Sequence, residues 1–219
     1  MERDRKICLG FWEFSKGLFD FSGHFRHFNP IILGENGSAT QVGNGISLHK
    51  AALVSEFKGA IAPPITWSVL AEFHRRNIPT IVAVEYGGYG VISLGLTEEG
   101  AISDDTAVVV GQIFGMPIVG DLVVRMDTPT VITLCVESER SYLWVQGMHY
   151  SAKSYVAHDP RETVADRFWL VADGDDGCAT YYLSTVMAES FDDEAALRHA
   201  AFLLKRLWWA NPPCGRFFA

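Results

Sequence analysis

From Thr80 onward the chain is a succession of short β-branched and aromatic runs, each cut off by Gly, Pro or acidic residues. This texture constrains the fold more than any other feature, because such runs form strands joined by tight turns. Residues 80–86 are followed by a turn at Gly87, Gly88 and Gly90, then by 91–96, 108–113, 122–126, 130–137, 142–146 and 155–157. Residues 168–172 and 179–184 flank the acidic stretch 173–177 and predict an antiparallel hairpin.

The first third of the chain predicts differently. The aromatic-rich stretch 7–30 is broken by Gly and polar residues and predicts irregular structure with a short strand, and 34–45 predicts a loop. Ile46, Leu48, Ala51, Ala52, Leu53 and Phe57 are spaced closer to a helix than to a strand. Pro63 and Pro64 stop that segment, and Pro64 opens a second predicted helix from Ile65 to Arg76. A last helix is predicted from Ser190, where Ser190 and Asp193 form a capping-box-like start. Leu197, Ala200, Ala201, Leu204 and Trp208 supply its apolar stripe before the stop at Asn211-Pro212-Pro213. The expected class is α+β: N-terminal helices packed on a mostly antiparallel sheet, closed by a C-terminal helix, in a single domain over 1–219.

Composition bounds the function. Of 219 residues, 48% are hydrophobic and 20% charged, enough for a sizeable core. The net charge of −8 argues against a general phosphate-backbone binder, so nucleic acid is not an expected partner. Cys8, Cys135, Cys178 and Cys214 are dispersed without a C-x-x-C pair, which gives neither a zinc-ribbon spacing nor a disulfide framework and favours a reducing, intracellular setting. The N-terminus has no apolar signal-peptide core, and no run approaches the ~18 apolar residues of a membrane-spanning helix. No cofactor and no metal are expected.

Several short motifs carry candidate chemistry. "ILGENGSATQ", residues 32–41, has the glycines of a phosphate-binding loop, but Ala39 and Thr40 stand where a final Gly and Lys are needed. The acidic stretch 173–177 lacks the downstream Glu of a calcium loop, so an acidic turn is favoured. His24 and His27 have i, i+3 spacing, yet no third ligand is spaced around them. His158-Asp159 ends a predicted strand, a position where sheet enzymes place general bases; the competing reading is a polar strand terminus.

Three segments together resemble the papain-like deubiquitinating cysteine-protease domain of herpesvirus large tegument proteins. They are "GENGSATQVGNGISLHKAAL" (34–53), "WSVLAEFHRR" (67–76) and "PTVITLCVESERSYLWVQGMHYSAKSYVAHDPRE" (129–162), and the resemblance runs over about residues 25–205. Where the family places its nucleophilic Cys, this chain has Gln41, Val42 or Gly43, and no Cys lies between Cys8 and Cys135. The family's Asp-x-His is replaced by His158-Asp159-Pro160, and residues 2–40 contain no Gln to stabilise an oxyanion. The resemblance therefore implies a papain-like pseudoprotease, a viral protein of the host cytoplasm, nucleus or virion. It would bind a host partner, ubiquitin-related or otherwise, in immune evasion, with Trp12, Phe14, Trp208 and Trp209 as interface anchors. The alternatives are an active cysteine hydrolase using His158 and Asp159, and a structural virion or interaction module.

Overall fold

The computed structural model describes residues 8–61, 64–86, 90–113, 115–118, 122–137, 140–146, 151–156 and 165–210. They form two antiparallel sheets packed face to face, with one long helix on the outside. The first sheet runs, edge to edge, β14 (Ser151–Val156), β13 (Arg140–Gln146), β12 (Thr130–Val136), β6 (Ile65–Phe73), β16 (Cys178–Met187), β4 (Gly45–His49) and β3 (Ser38–Val42). β1 (Cys8–Glu13) joins β16 on the β4 side: β4 pairs with residues 178–181 of β16, and β1 with the stretch beyond. The second sheet runs β10 (Met116–Pro117), β9 (Thr106–Ile113), β8 (Gly90–Thr97), β7 (Ile78–Tyr86), β15 (Ala165–Ala172), β5 (Ala51–Ile61) and β2 (Phe28–Ile32), with β11 (Val123–Arg125) also on β9.

This arrangement overturns the α+β, papain-like expectation. The two helices predicted for the first third are β4, β5 and β6. Ile46 and Leu48 of β4 and Ala51, Leu53 and Phe57 of β5 all enter one core, each set alternating within its own strand. Between them Lys50 takes a left-handed φ of 45° and carries the chain from one sheet to the other, which shifts the alternation by one residue. Two offset period-2 patterns then mimic a helical spacing. β6 misleads for another reason, being buried along nearly its whole length on both faces.

On the first sheet the outer face is covered by α1. Ile65, Trp67, Val69, Ala71 and Phe73 of β6 point into the inter-sheet core. On the opposite face, Leu70, Val131 and Leu183 meet Ala200 and Leu203 of α1 (Asp193–Ala210), while Cys135 and Trp144 meet Phe191 and Ala196. Burying one such leucine is worth about 2 kcal/mol. Polar groups under the helix are paired: Thr66 Oγ1 donates to the Glu189 carbonyl at 2.6 Å, and Ser68 and Thr133 hydroxyls meet at 2.9 Å. α1 begins later than predicted. Its N-terminus is capped by Asp192, whose Oδ1 accepts the Ala195 N–H at 2.7 Å, whereas Ser190 donates to Glu137. The far end is tied to β1 by Arg206, 3.0 Å from Glu13. Burial alone would raise the Glu13 carboxyl pKa, but Lys16 and Arg206 hold it below its ordinary range.

The predicted hairpin across 173–177 is absent, because β15 lies in the second sheet and β16 in the first. The turn crosses between sheets. Asp173 Oδ1 accepts the Thr80 N–H at 2.7 Å, and Gly174 takes a φ of 87° that suits glycine. Just beyond it, Tyr181 of β16 reaches through the core with no exposed surface. Its hydroxyl lies 2.6 Å from the carbonyl oxygens of both Ile81 and Val171. The β15–β7 ladder ends at the Leu170–Val82 pair, and β7 is irregular between Ile78 and Val82. Tyr181 thus supplies a donor where the second sheet's own hydrogen bonding stops.

Two predictions follow from this packing. Tyr181→Phe removes the donor between two buried carbonyls and is expected to cost about 1–3 kcal/mol in chemical denaturation. His199 of α1 faces the sheet, with Nε2 3.0 Å from Thr185 Oγ1 and the rings of Phe191 and Phe202 beside it. Burial lowers its pKa to about 4. A depressed histidine pKa means the unfolded chain takes the proton first as pH falls. The contribution is therefore complete above about pH 6.5 and is lost progressively toward pH 4. Stability should drop by about 2 kcal/mol between pH 7 and 5 from this group. His199→Gln should show a flatter Tm profile over that range in thermal melts.

Candidate ligand-binding face

Because α1 covers the first sheet, the outer face of the second sheet is the broad sheet surface that no described element covers. Strand alternation fixes what it displays. In β15, Ala165, Phe168, Leu170 and Ala172 point into the core, so Trp169 points outward. Opposite β7, a β-bulge between Ala165 and Arg167 inserts one extra residue in β15, leaving both Asp166 and Arg167 between core-facing Ala165 and Phe168. A strand read without its partners gives no hint of that bulge.

Register extends the face sideways. Trp169 sits opposite Val54 on one side and Ala83 on the other, Val54 opposite Asn29, Ala83 opposite Ser93, and Ser93 opposite Gln112. These six residues make one row across β2, β5, β15, β7, β8 and β9, about 24 Å long at the usual strand spacing. In the next row Arg167 lies between Glu56 and Glu85, at 3.5 and 3.3 Å. These ion pairs are too exposed to add much stability, and they set the charge layout of the face. Trp169 is partly exposed, and its Nε1, like Asp166 Oδ1, is enclosed without a hydrogen-bond partner among the described residues.

A cleft of about 680 Å³ at one end of the sandwich, lined by His74, Arg76, Asn77, Asp104, Asp127 and Asp175, is the competing location. Glu72, His74 and Asp127 bring their ligand atoms within 4.8 Å of one another, as a divalent cation would require. Each already has a protein partner. His74 Nδ1 is 2.7 Å from Asp127 and Nε2 is 2.9 Å from Thr180, while Glu72 accepts the Tyr182 hydroxyl at 2.7 Å. Asp127, His74 and Thr180 have the connectivity of a hydrolytic triad, yet the hydroxyl at its end belongs to a threonine that is 6% exposed. The arrangement ties β6 and β16 to the turn after β11, and among the described residues the cleft has no Phe, Tyr or Trp ring to stack a ligand.

The residues singled out in the sequence fall elsewhere. Trp12 and Phe14 have no exposed surface and pack around Phe28 at 4.8 and 5.7 Å between ring centroids. Trp208 is 64% exposed on α1, and the side chain of Trp209 lies outside the described residues. So do His158 and Asp159. Gln41 and Val42 end β3, and Gly43, at φ 52°, turns the chain into β4. Gln41 Nε2 donates to the Phe14 carbonyl at 2.6 Å. The supposed nucleophile seat is a β-hairpin turn rather than the start of a helix.

No family model matches the sequence, and no curated protein matches it. Solved structures do match in fold. The binding domain of botulinum neurotoxin serotype D superposes with a TM-score of 0.65 at 12% identity, over 94% of this chain and 53% of that one. Domain 4 of AbnA, a GH43 extracellular arabinanase from Geobacillus stearothermophilus, was solved with arabinotriose. It gives a TM-score of 0.62 at 10% identity, over 89% of this chain and 98% of that one. The binding domain of botulinum neurotoxin DC in complex with SialylT gives 0.62 at 12% identity, over 91% and 52%. This chain thus spans about half the length of the toxin domains. At such identities the likeness establishes the fold alone. It is an all-antiparallel β-sandwich with a helix, which overturns the resemblance to the herpesvirus deubiquitinase and to cysteine proteases.

Proposed function

We propose that this chain is a carbohydrate-binding module that lays a neutral oligosaccharide along the outer face of the second sheet, over Trp169. The observation that carries the reading is the composition of that row: one partly exposed indole, flanked by amide, hydroxyl and small side chains, on the sheet face that α1 leaves open. Aromatic rings offer apolar area to sugar C–H faces, while Asn29, Ser93 and Gln112 offer donors and acceptors to hydroxyls. The charge favours a neutral ligand. Arg167 is matched by Glu56 and Glu85, and Asp166 adds a further carboxylate, so an anionic sugar meets net repulsion. The fold neighbours support the class, since one was solved with arabinotriose and another with SialylT.

A glycan array followed by calorimetry of the best neutral ligand tests the proposal. Trp169→Ala is expected to weaken binding about thirtyfold, the loss typical of a central aromatic anchor. Arg167→Ala should change affinity less than about threefold, because its exposed pairs with Glu56 and Glu85 are weak and the ligand is neutral. Trp208→Ala, on α1, should leave affinity unchanged. Undiminished binding by Trp169→Ala would refute the proposed site.

A further inference from the structure

The connection between β1 and β2, residues 17–27, exposes Phe19 by 60%, Phe21 by 47% and Phe25 by 82%. It is built to hold them there. The Asp20 carboxylate, itself 8% exposed, accepts the N–H of Phe11 at 3.1 Å, of Ser22 at 2.8 Å and of Arg26 at 3.1 Å, together with the Ser22 hydroxyl at 2.9 Å. The Trp12 indole N–H and the Ser55 hydroxyl both donate to the Arg26 carbonyl, at 2.7 and 3.0 Å. Phe21 N–H bonds the Phe11 carbonyl at 2.7 Å, and Phe28 N–H bonds the Leu18 carbonyl at 3.0 Å. Phe25 holds a φ of 57°, a left-handed conformation that L side chains adopt only when their surroundings impose it.

The charge around these rings opposes that of the whole chain. Lys16, His24, Arg26 and His27 lie among these rings with the enclosed Asp20; Lys16 shares Glu13, at 3.0 Å, with Arg206, also at 3.0 Å, so two cations face that one carboxylate, in a chain of net charge −8. Lys16 Nζ lies 5.5 Å from the Phe21 ring centre, and His27 sits edge-on to the rings of Phe19 and Phe25. Protruding rings with a cation beside them, on a loop whose amides largely bond inward, can enter a lipid headgroup layer without stranding many donors.

We propose that this loop is a membrane-contact tip, which seats Phe19, Phe21 and Phe25 in the headgroup region of an anionic bilayer, with Lys16 facing lipid phosphates. The contact lies on the membrane surface and spans nothing. It is independent of the sugar-binding reading, since loop and sheet face share no residue.

Flotation of the full chain with phosphatidylcholine vesicles, with and without about a quarter phosphatidylserine, tests it. The wild type should float with the anionic vesicles and release at high salt. The double variant Phe19→Ser/Phe25→Ser should bind them about tenfold more weakly, with an unchanged thermal midpoint because both rings are exposed. Lys16→Glu should reduce binding to the anionic vesicles only. Failure of the wild type to float with anionic vesicles overturns the proposal, as does equal flotation by the double variant.

Discussion

The architecture depends on one asymmetry: α1 covers the outer face of the first sheet, and no described element lies over that of the second. Leu70, Val131 and Leu183 would be a bare apolar surface without α1, and the helix in turn owes its place to them. A helix of eighteen residues with so few strong apolar contacts on its outer side gains most of its stability from that docking rather than from propensity. Once α1 occupies one face, the row across Trp169 is the extended sheet surface left for a ligand. The location of the proposed site is thus a consequence of how the core is closed.

The two sheets are held in mutual register by few polar contacts, of which Tyr181 is the most specific. Its hydroxyl meets two carbonyls where β7 and β15 part, so a residue of the first sheet completes the hydrogen bonding of the second. Apolar packing around Phe57, Trp67 and Phe168 supplies the bulk of the cohesion, with ring centroids 4.5 and 5.1 Å apart. Trp67 also donates its indole N–H to Ser184 at 2.9 Å, so the largest rings of the interior leave little polar surface unmatched.

Sequence alone reached the strands after Pro79 and the last helix, because those strands are bounded by clear turn residues and α1 has a one-sided apolar stripe. It missed β4, β5 and β6 for physical reasons. The inversion of facing at Lys50 blends two alternating strands into a helix-like spacing, and a strand covered on both faces loses its alternation. It read the glycine turn at 173–177 correctly as a turn but not as a crossing between sheets, since nothing local distinguishes the two. The tegument-protease resemblance grew from the same error, because a loop followed by a helix at Asn44 is in fact the β3–β4 hairpin. For the candidate face, Phe168 to Ala172 is one continuous apolar run, so the sequence does not show that Trp169 faces outward. It also withheld which strands lie beside β15, and with them Glu56, Glu85, Ser93 and Gln112.

The central claim is that the open face of the second sheet, rather than the acidic cleft at the end of the sandwich, receives the ligand. Titrating the isotopically labelled chain with a neutral oligosaccharide, while following the Trp169 indole N–H and the backbone amides by NMR, tests this directly. The account predicts shifts at the Trp169 indole and at Ser93, Ala83 and Gln112, with His74, Asn77 and Asp127 unmoved. Shifts confined to His74, Asn77 and Asp127 would contradict it.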